Sequence, residues 1–175
     1  MFKQSTIGTL ILFTTLLVGC GTRPFVPTEY PLREGLVPSL GVSAPVVISN
    51  GQPSTELAIV YSSSGSKLGS DLKSITEVMV QQTNKEIQKS NQLNSTKSPS
   101  KSITLKVNSL QSNYIAFFFK SNMAFQATLG NGSVIDFTAH HGSGSVAQDI
   151  NGCIAEGVIT LLNDKRVRAY LASGT

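Results

Sequence analysis

Cysteine is nearly absent from this 175-residue chain: there are two, Cys20 and Cys153. A pair so sparse excludes the disulfide-stapled class of small secreted scaffold. Charge is thin as well, with 14% Asp, Glu, Lys and Arg against 40% hydrophobic residues. That balance describes one folded core under a surface of Ser, Thr, Asn and Gln, and excludes a charge-rich disordered chain. The formal charge is +4, yet only Lys165, Arg166 and Arg168 cluster. A nucleic-acid binder needs a basic stripe or a known module, so nucleic acid is not an expected partner. The charge suggests at most a mild attraction to anionic headgroups or cell-wall polymers. Long hydrophobic runs are missing too. The longest, Ile7 to Val18, falls short of the roughly 20 residues that span a bilayer.

That short run carries the clearest message in the chain. Lys3 supplies positive charge, Ile7–Val18 the apolar segment and Gly19 a small residue before Cys20, the order of a secretory signal. Leu17-Val18-Gly19-Cys20 resembles the lipobox of bacterial lipoproteins, in which cleavage after Gly19 makes Cys20 the first residue and the site of acylation. The resemblance implies removal of residues 1–19 and membrane attachment through lipidated (palmitate-type) Cys20. More than one acyl chain is needed for stable anchoring, at about 0.8 kcal/mol per buried methylene. Gly21, rather than Asp, at the second mature position implies the outer membrane, facing the periplasm, in a host with two membranes. With Cys20 acylated, Cys153 is left single, and its place on an apolar helical face predicts a buried core thiol.

Residues 20–44 contain Pro24, Pro27, Pro31 and Pro38 and read as an extended tether, with Phe25, Val26, Tyr30 and Leu36 available to dock part of it. Residues 45–175 read as a single globular domain. A first strand runs from Val42 to Ser49 and a second from Glu56 to Ser62, a candidate hairpin, followed by a Ser-rich loop. Leu68, Leu72, Ile75, Met79 and Ile87 recur at helical spacing and predict a helix over about 70–89. Ile103, Leu105 and Val107 alternate with polar residues as in a strand with one wet face. From Ile115 to Leu129 a single alternation persists through Ser121-Asn122, which predicts one long bent strand. Gly130-Asn131-Gly132 turns it back into Val134–Ala139. Val146, Ile150, Cys153, Ile154, Gly157, Val158, Leu161 and Leu162 mark a closing helix. The expected fold is α+β, an antiparallel sheet with two helices packed on one face, in the order β-β-α-β-β-β-α.

No catalytic set accompanies this architecture. His140 and His141 are adjacent on a strand and point to opposite faces, so they do not share a metal, and both are expected at a solvated strand end. Neither a metal nor a cofactor is expected. Gly142-Ser143-Gly144-Ser145 precedes a helix as ordinary capping would. No Gly-x-Ser-x-Gly elbow is present, and no Gly-Lys-Ser/Thr phosphate loop. Phe117, Phe118, Phe119, Met123 and Phe125 are candidates either for core or for a lipid-binding groove between helix and sheet.

Taken together, the lipobox, the Pro-containing spacer, Leu40-Gly41-Val42 leading to Val47-Ile48-Ser49-Asn50-Gly51, the central helix, the strand ending at Gly130-Asn131-Gly132 and the closing helix resemble the YajG-type group of small bacterial lipoproteins. That group brings no catalytic residues. The resemblance implies a non-enzymatic, membrane-anchored periplasmic lipoprotein of the cell envelope that binds a partner protein or supports the envelope. The other reading is a lipid- or glycolipid-binding auxiliary lipoprotein of an envelope transport or assembly system.

Overall fold

The structure, a computed structural model, describes residues 21–63, 65–90 and 100–173. The leader, Gly19 and Cys20 lie outside the described residues. Seven strands form one sheet: β1 (Thr22–Pro24), β2 (Val46–Asn50), β3 (Leu57–Ser63), β4 (Ser66–Asp71), β5 (Lys101–Ile115), β6 (Phe118–Leu129) and β7 (Val134–Ser143). Among the described residues, three helices accompany them: α1 (Leu72–Ser90), α2 (Val146–Asn163) and α3 (Lys165–Ala172). Among the described residues, no helix is long and apolar enough to cross a membrane.

The α+β class holds, but the sheet is mixed rather than antiparallel, and the element order is β-β-β-β-α-β-β-β-α-α. The main path runs β1-β4-β3-β5-β6-β7, with β2 added beside β5. β1 pairs β4, β2 pairs β5 and β3 meets β5, all in parallel. The first two predicted strands therefore do not form a hairpin. β3 instead turns at Gly65, with φ of 84°, into β4, an unpredicted strand between the Ser-rich run Ser62–Ser66 and the helix. Helix α1 then carries the chain across to β5, the kind of long connection that a parallel neighbour requires.

β5 is the spine. It runs through Ile115, well past the predicted end near Val107, because a bulge between Val107 and Ser109 switches its alternation from odd to even positions. Ile103, Leu105 and Val107 face the core before the bulge, and Leu110 and Ser112 after it. β2 and β3 share one edge of β5, leaving a gap between them. Side chains fill it: the Thr76 hydroxyl accepts from the Val107 N–H at 3.1 Å, and the Gln52 amide donates to the Val107 carbonyl at 2.6 Å. Both backbone groups are thereby satisfied away from water.

The predicted single strand from Ile115 to Leu129 is broken by a tight turn. Ala116 and Phe117, with φ of 41° and 84°, make a two-residue hairpin between Ile115 and Phe118. Neither residue is Gly or Asn, so no turn signal marks it in the sequence. Beyond the turn the odd positions Ser121, Met123, Phe125, Ala127 and Leu129 do face inward. Ile135, Phe137 and Ala139 of β7 join them, and Phe137 stacks on Phe125 with ring centroids 5.0 Å apart.

α1 and α2 cover this apolar face, contributing Ile75, Met79, Ile150, Ile154, Val158 and Leu161. The final stretch forms α3, whose end is held by Lys101: its ammonium donates to the carbonyls of Tyr170 at 2.6 Å, Leu171 at 3.0 Å and Ser173. These are orphan carbonyls of a helix C-terminus, where a cation is favoured.

The proline-rich stretch is extended but lies on the domain. Thr28 and Asn151 exchange two hydrogen bonds, Gln82 donates to the Tyr30 carbonyl, and Asn163 donates to that of Leu36. Leu40, Val42 and Ala44 are buried in the core. Apolar residues placed between the prolines gain more from packing than from hydration.

Asp71 caps α1, accepting from the Ser74 N–H and hydroxyl, each at 2.7 Å. Burial pushes its carboxyl up, but the Ser74 hydrogen bonds outweigh this and hold it below the usual 3.8. A depressed folded-state value means stability that is present at neutral pH and lost as pH falls through that value. Asp71→Ala should cost about 0.5–2 kcal/mol at neutral pH. In urea titrations the gap to wild type should close as the medium is acidified below 3.8 and through the lowered folded-state value.

Candidate functional site

One end of the sheet collects the polar and aromatic residues that the core does not use. Register places Ser112 opposite Ser121 and Ser121 opposite His141, a transverse row over β5, β6 and β7. All three lie on the helix-covered face. Asp149, in the first turn of α2, meets them there and is fully buried. Its Oδ2 accepts from Ser112 at 2.6 Å and Ser121 at 2.5 Å, and its Oδ1 lies 3.5 Å from His141 Nδ1. The helix N-terminus also favours the carboxylate. Gly152 makes room for the imidazole, since a Cβ there would stand 2.6 Å from both ring nitrogens.

His141 is thus half-buried rather than solvated as expected. It faces opposite to His140, which is exposed and 2.6 Å from Asn122 Oδ1. The His141 ring also meets Tyr30 edge-on at 5.9 Å, and the two line a cleft of about 330 Å³ with Arg33, Leu36 and Glu156. A carboxylate behind an imidazole is the geometry of a held base. Here, however, both serine hydroxyls are donated to Asp149 and both serines are buried, so no nucleophile is offered to the ring. The row ties three strands to one helix. Among the described residues, no three His, Cys, Asp or Glu side chains converge as metal ligands would.

Past this row the same face continues as Tyr114 and Phe119, 5.2 Å apart, with Tyr61 against Phe119 at 5.6 Å. Ile115 and Phe118 point to the other side. Phe117, at the turn, is 91% exposed. Left-handed backbone at a residue bearing a Cβ costs about 1–2 kcal/mol, and the Ala116-Phe117 turn takes that cost twice.

The five candidate groove residues therefore part company. Met123 and Phe125 are core, at 1% exposure each, whereas Phe117, Phe118 and Phe119 belong to the hairpin tip. They line no common groove. Asp149, Ser112 and Ser121 escaped the sequence reading, although one signal was present: Asp149 is a lone charge on the apolar stripe between Val146 and Cys153.

Cys153 is fully buried, 3.5 Å from the Ala139 carbonyl. Burial, and then the negative charges of Asp149 and Glu156, push its thiol up to about 12. In the native protein Cys153 should resist thiol reagents at mildly alkaline pH and react at once in denaturant, as measured by release of a chromogenic thiolate from an aromatic disulfide. Asp149→Ala leaves two buried hydroxyls without their acceptor and should cost about 2–6 kcal/mol in urea unfolding, at about 1–3 kcal/mol for each. Ser112→Ala, which removes one donor and leaves the carboxylate two neighbours, should cost less. Compared with known proteins, the chain matches no family model and, among curated proteins, no relative.

Proposed function

We propose that this chain is a membrane-anchored lipoprotein of the cell envelope, non-enzymatic, whose domain binds a partner protein or supports the envelope. One observation carries the reading: the lipobox-like Leu17-Val18-Gly19-Cys20 is followed after a single residue by strand β1. The acylation site is thus joined directly to folded structure. In a host with two membranes, Gly21 favours the outer membrane with the domain facing the periplasm, as in the YajG-type lipoproteins that the chain resembles. The use of Ser112, Ser121 and Asp149 in a closed, buried set agrees with a scaffold rather than an enzyme. The second reading, a lipid-binding auxiliary lipoprotein of an envelope transport or assembly system, draws on the exposed Phe117 and Phe118.

Cells given a clickable fatty acid should label the wild-type chain and leave Cys20→Ser unlabelled. Mass spectrometry of the mature wild-type protein should find acylated Cys20 at its N-terminus. A mature terminus elsewhere, or equal labelling of the variant, would sink the proposal.

A further inference from the structure

Resting on the anchored reading, we infer that the β5–β6 hairpin tip enters the same phospholipid leaflet that holds the acyl chains of Cys20. Strand directions carry this. β1 runs parallel to β4 with Thr22 opposite Lys67, and Lys67 lies opposite Ser62 of β3. β3 meets β5 in parallel at Tyr61 and Ser112, and Asn113 lies opposite Lys120. The chain therefore enters the sheet at the end from which the hairpin tip projects. Four strand spacings, about 19 Å, separate Thr22 from Lys120. With Gly21 alone between Cys20 and β1, and the following segment held on the helices, the anchor brings this end to the membrane.

The surface at this end fits a leaflet. Ile115, Phe117 and Phe118 are exposed at 45%, 91% and 43%, and Tyr114 at 52%. The tip stands about 10 Å beyond the Asn113–Lys120 row, three residues at strand rise, which matches the depth of interfacial insertion. Lys120 on β6, and Lys67 and Arg23 on β4 and β1 at the same end of the sheet, are exposed, while residues 21–28, 60–68, 109–122 and 138–145 contain no Asp or Glu. Exposed apolar residues at a sheet end that also carries cations and no acidic strand residue suit a phospholipid surface with anionic headgroups. The turn geometry agrees: Phe117 stands at the apex, where few neighbours in its own chain can cover it.

The test uses the full lipidated chain in vesicles of phosphatidylethanolamine with a minority of phosphatidylglycerol. An environment-sensitive dye is placed on Phe117→Cys, or on Val134→Cys at the far end of the sheet; buried Cys153 and acylated Cys20 do not compete for it. The expected result is a blue shift and several-fold stronger quenching by bromolipids at position 117 than at 134, with protection from iodide. Phe117→Asp, read by a dye on Phe118→Cys, should lose the blue shift. A chain that floats with vesicles while its tip dye stays open to iodide overturns this inference and leaves the anchor standing. A tip dye shielded from iodide but not quenched by bromolipid means a protein occupant and also overturns it. A chain that carries no acyl group and does not float overturns the anchored reading, and this one with it.

Discussion

The buried carboxylate of Asp149 is the constraint on which the upper half of the molecule depends. Three strands each give one polar side chain to the same row, and all three meet one residue in the first turn of α2. A row of Ser, Ser and His among apolar neighbours would be a liability without the carboxylate, because buried hydroxyls without partners cost about 1–3 kcal/mol each. With it, the row fixes both the register of β5, β6 and β7 and the position of α2 above them. A slip of one residue in any pair would turn its polar side chain to the opposite face and strand the others.

Polar side chains finish the structure at two other places where regular pairing stops. At the bulge in β5, Thr76 and Gln52 take the N–H and carbonyl of Val107 that no strand reaches. At the end of α3, Lys101 gathers three carbonyls, and burial lowers its ammonium below the usual range. Each case sits where one element changes into another. The hydrophobic core lies between these points and needs no polar help, with Ile103, Leu105, Phe125, Ile154 and Leu161 packed at or near zero exposure.

The parts legible in the sequence were those with an uninterrupted period. The stripes of α1 and α2, the odd positions of β6 and the Gly130-Asn131-Gly132 return to β7 each repeat long enough to be read locally. The mixed pairing was not legible, because β2 and β3 both lie along β5 through contacts distant in sequence. The hairpin tip was hidden for a different reason: Ile115 to Phe119 are all apolar, so no polar position marks the change from even inward residues in β5 to odd ones in β6. Ala-Phe also lacks the chemistry that usually marks such a turn. Of the candidate site, the aromatic residues were visible and their division between core and tip was not.

The same distribution of contacts grades the hold on the N-terminal segment. β1 is three residues long, ends in Pro24 with no N–H to give, and lies at the sheet edge. Further along, the Lys85–Glu29 ion pair is exposed, and such pairs contribute about 0–1 kcal/mol. Phe25, Leu32 and Val37 rest half-buried against the core, and at Leu40, Val42 and Ala44 the chain is buried in it, where Ser43 also bonds the Leu171 carbonyl. Attachment therefore strengthens from Thr22 toward Ala44. Tension applied at the N-terminus would peel the strap before it disturbed the core, so the strap can yield while the Asp149 row and the helices behind it keep their places.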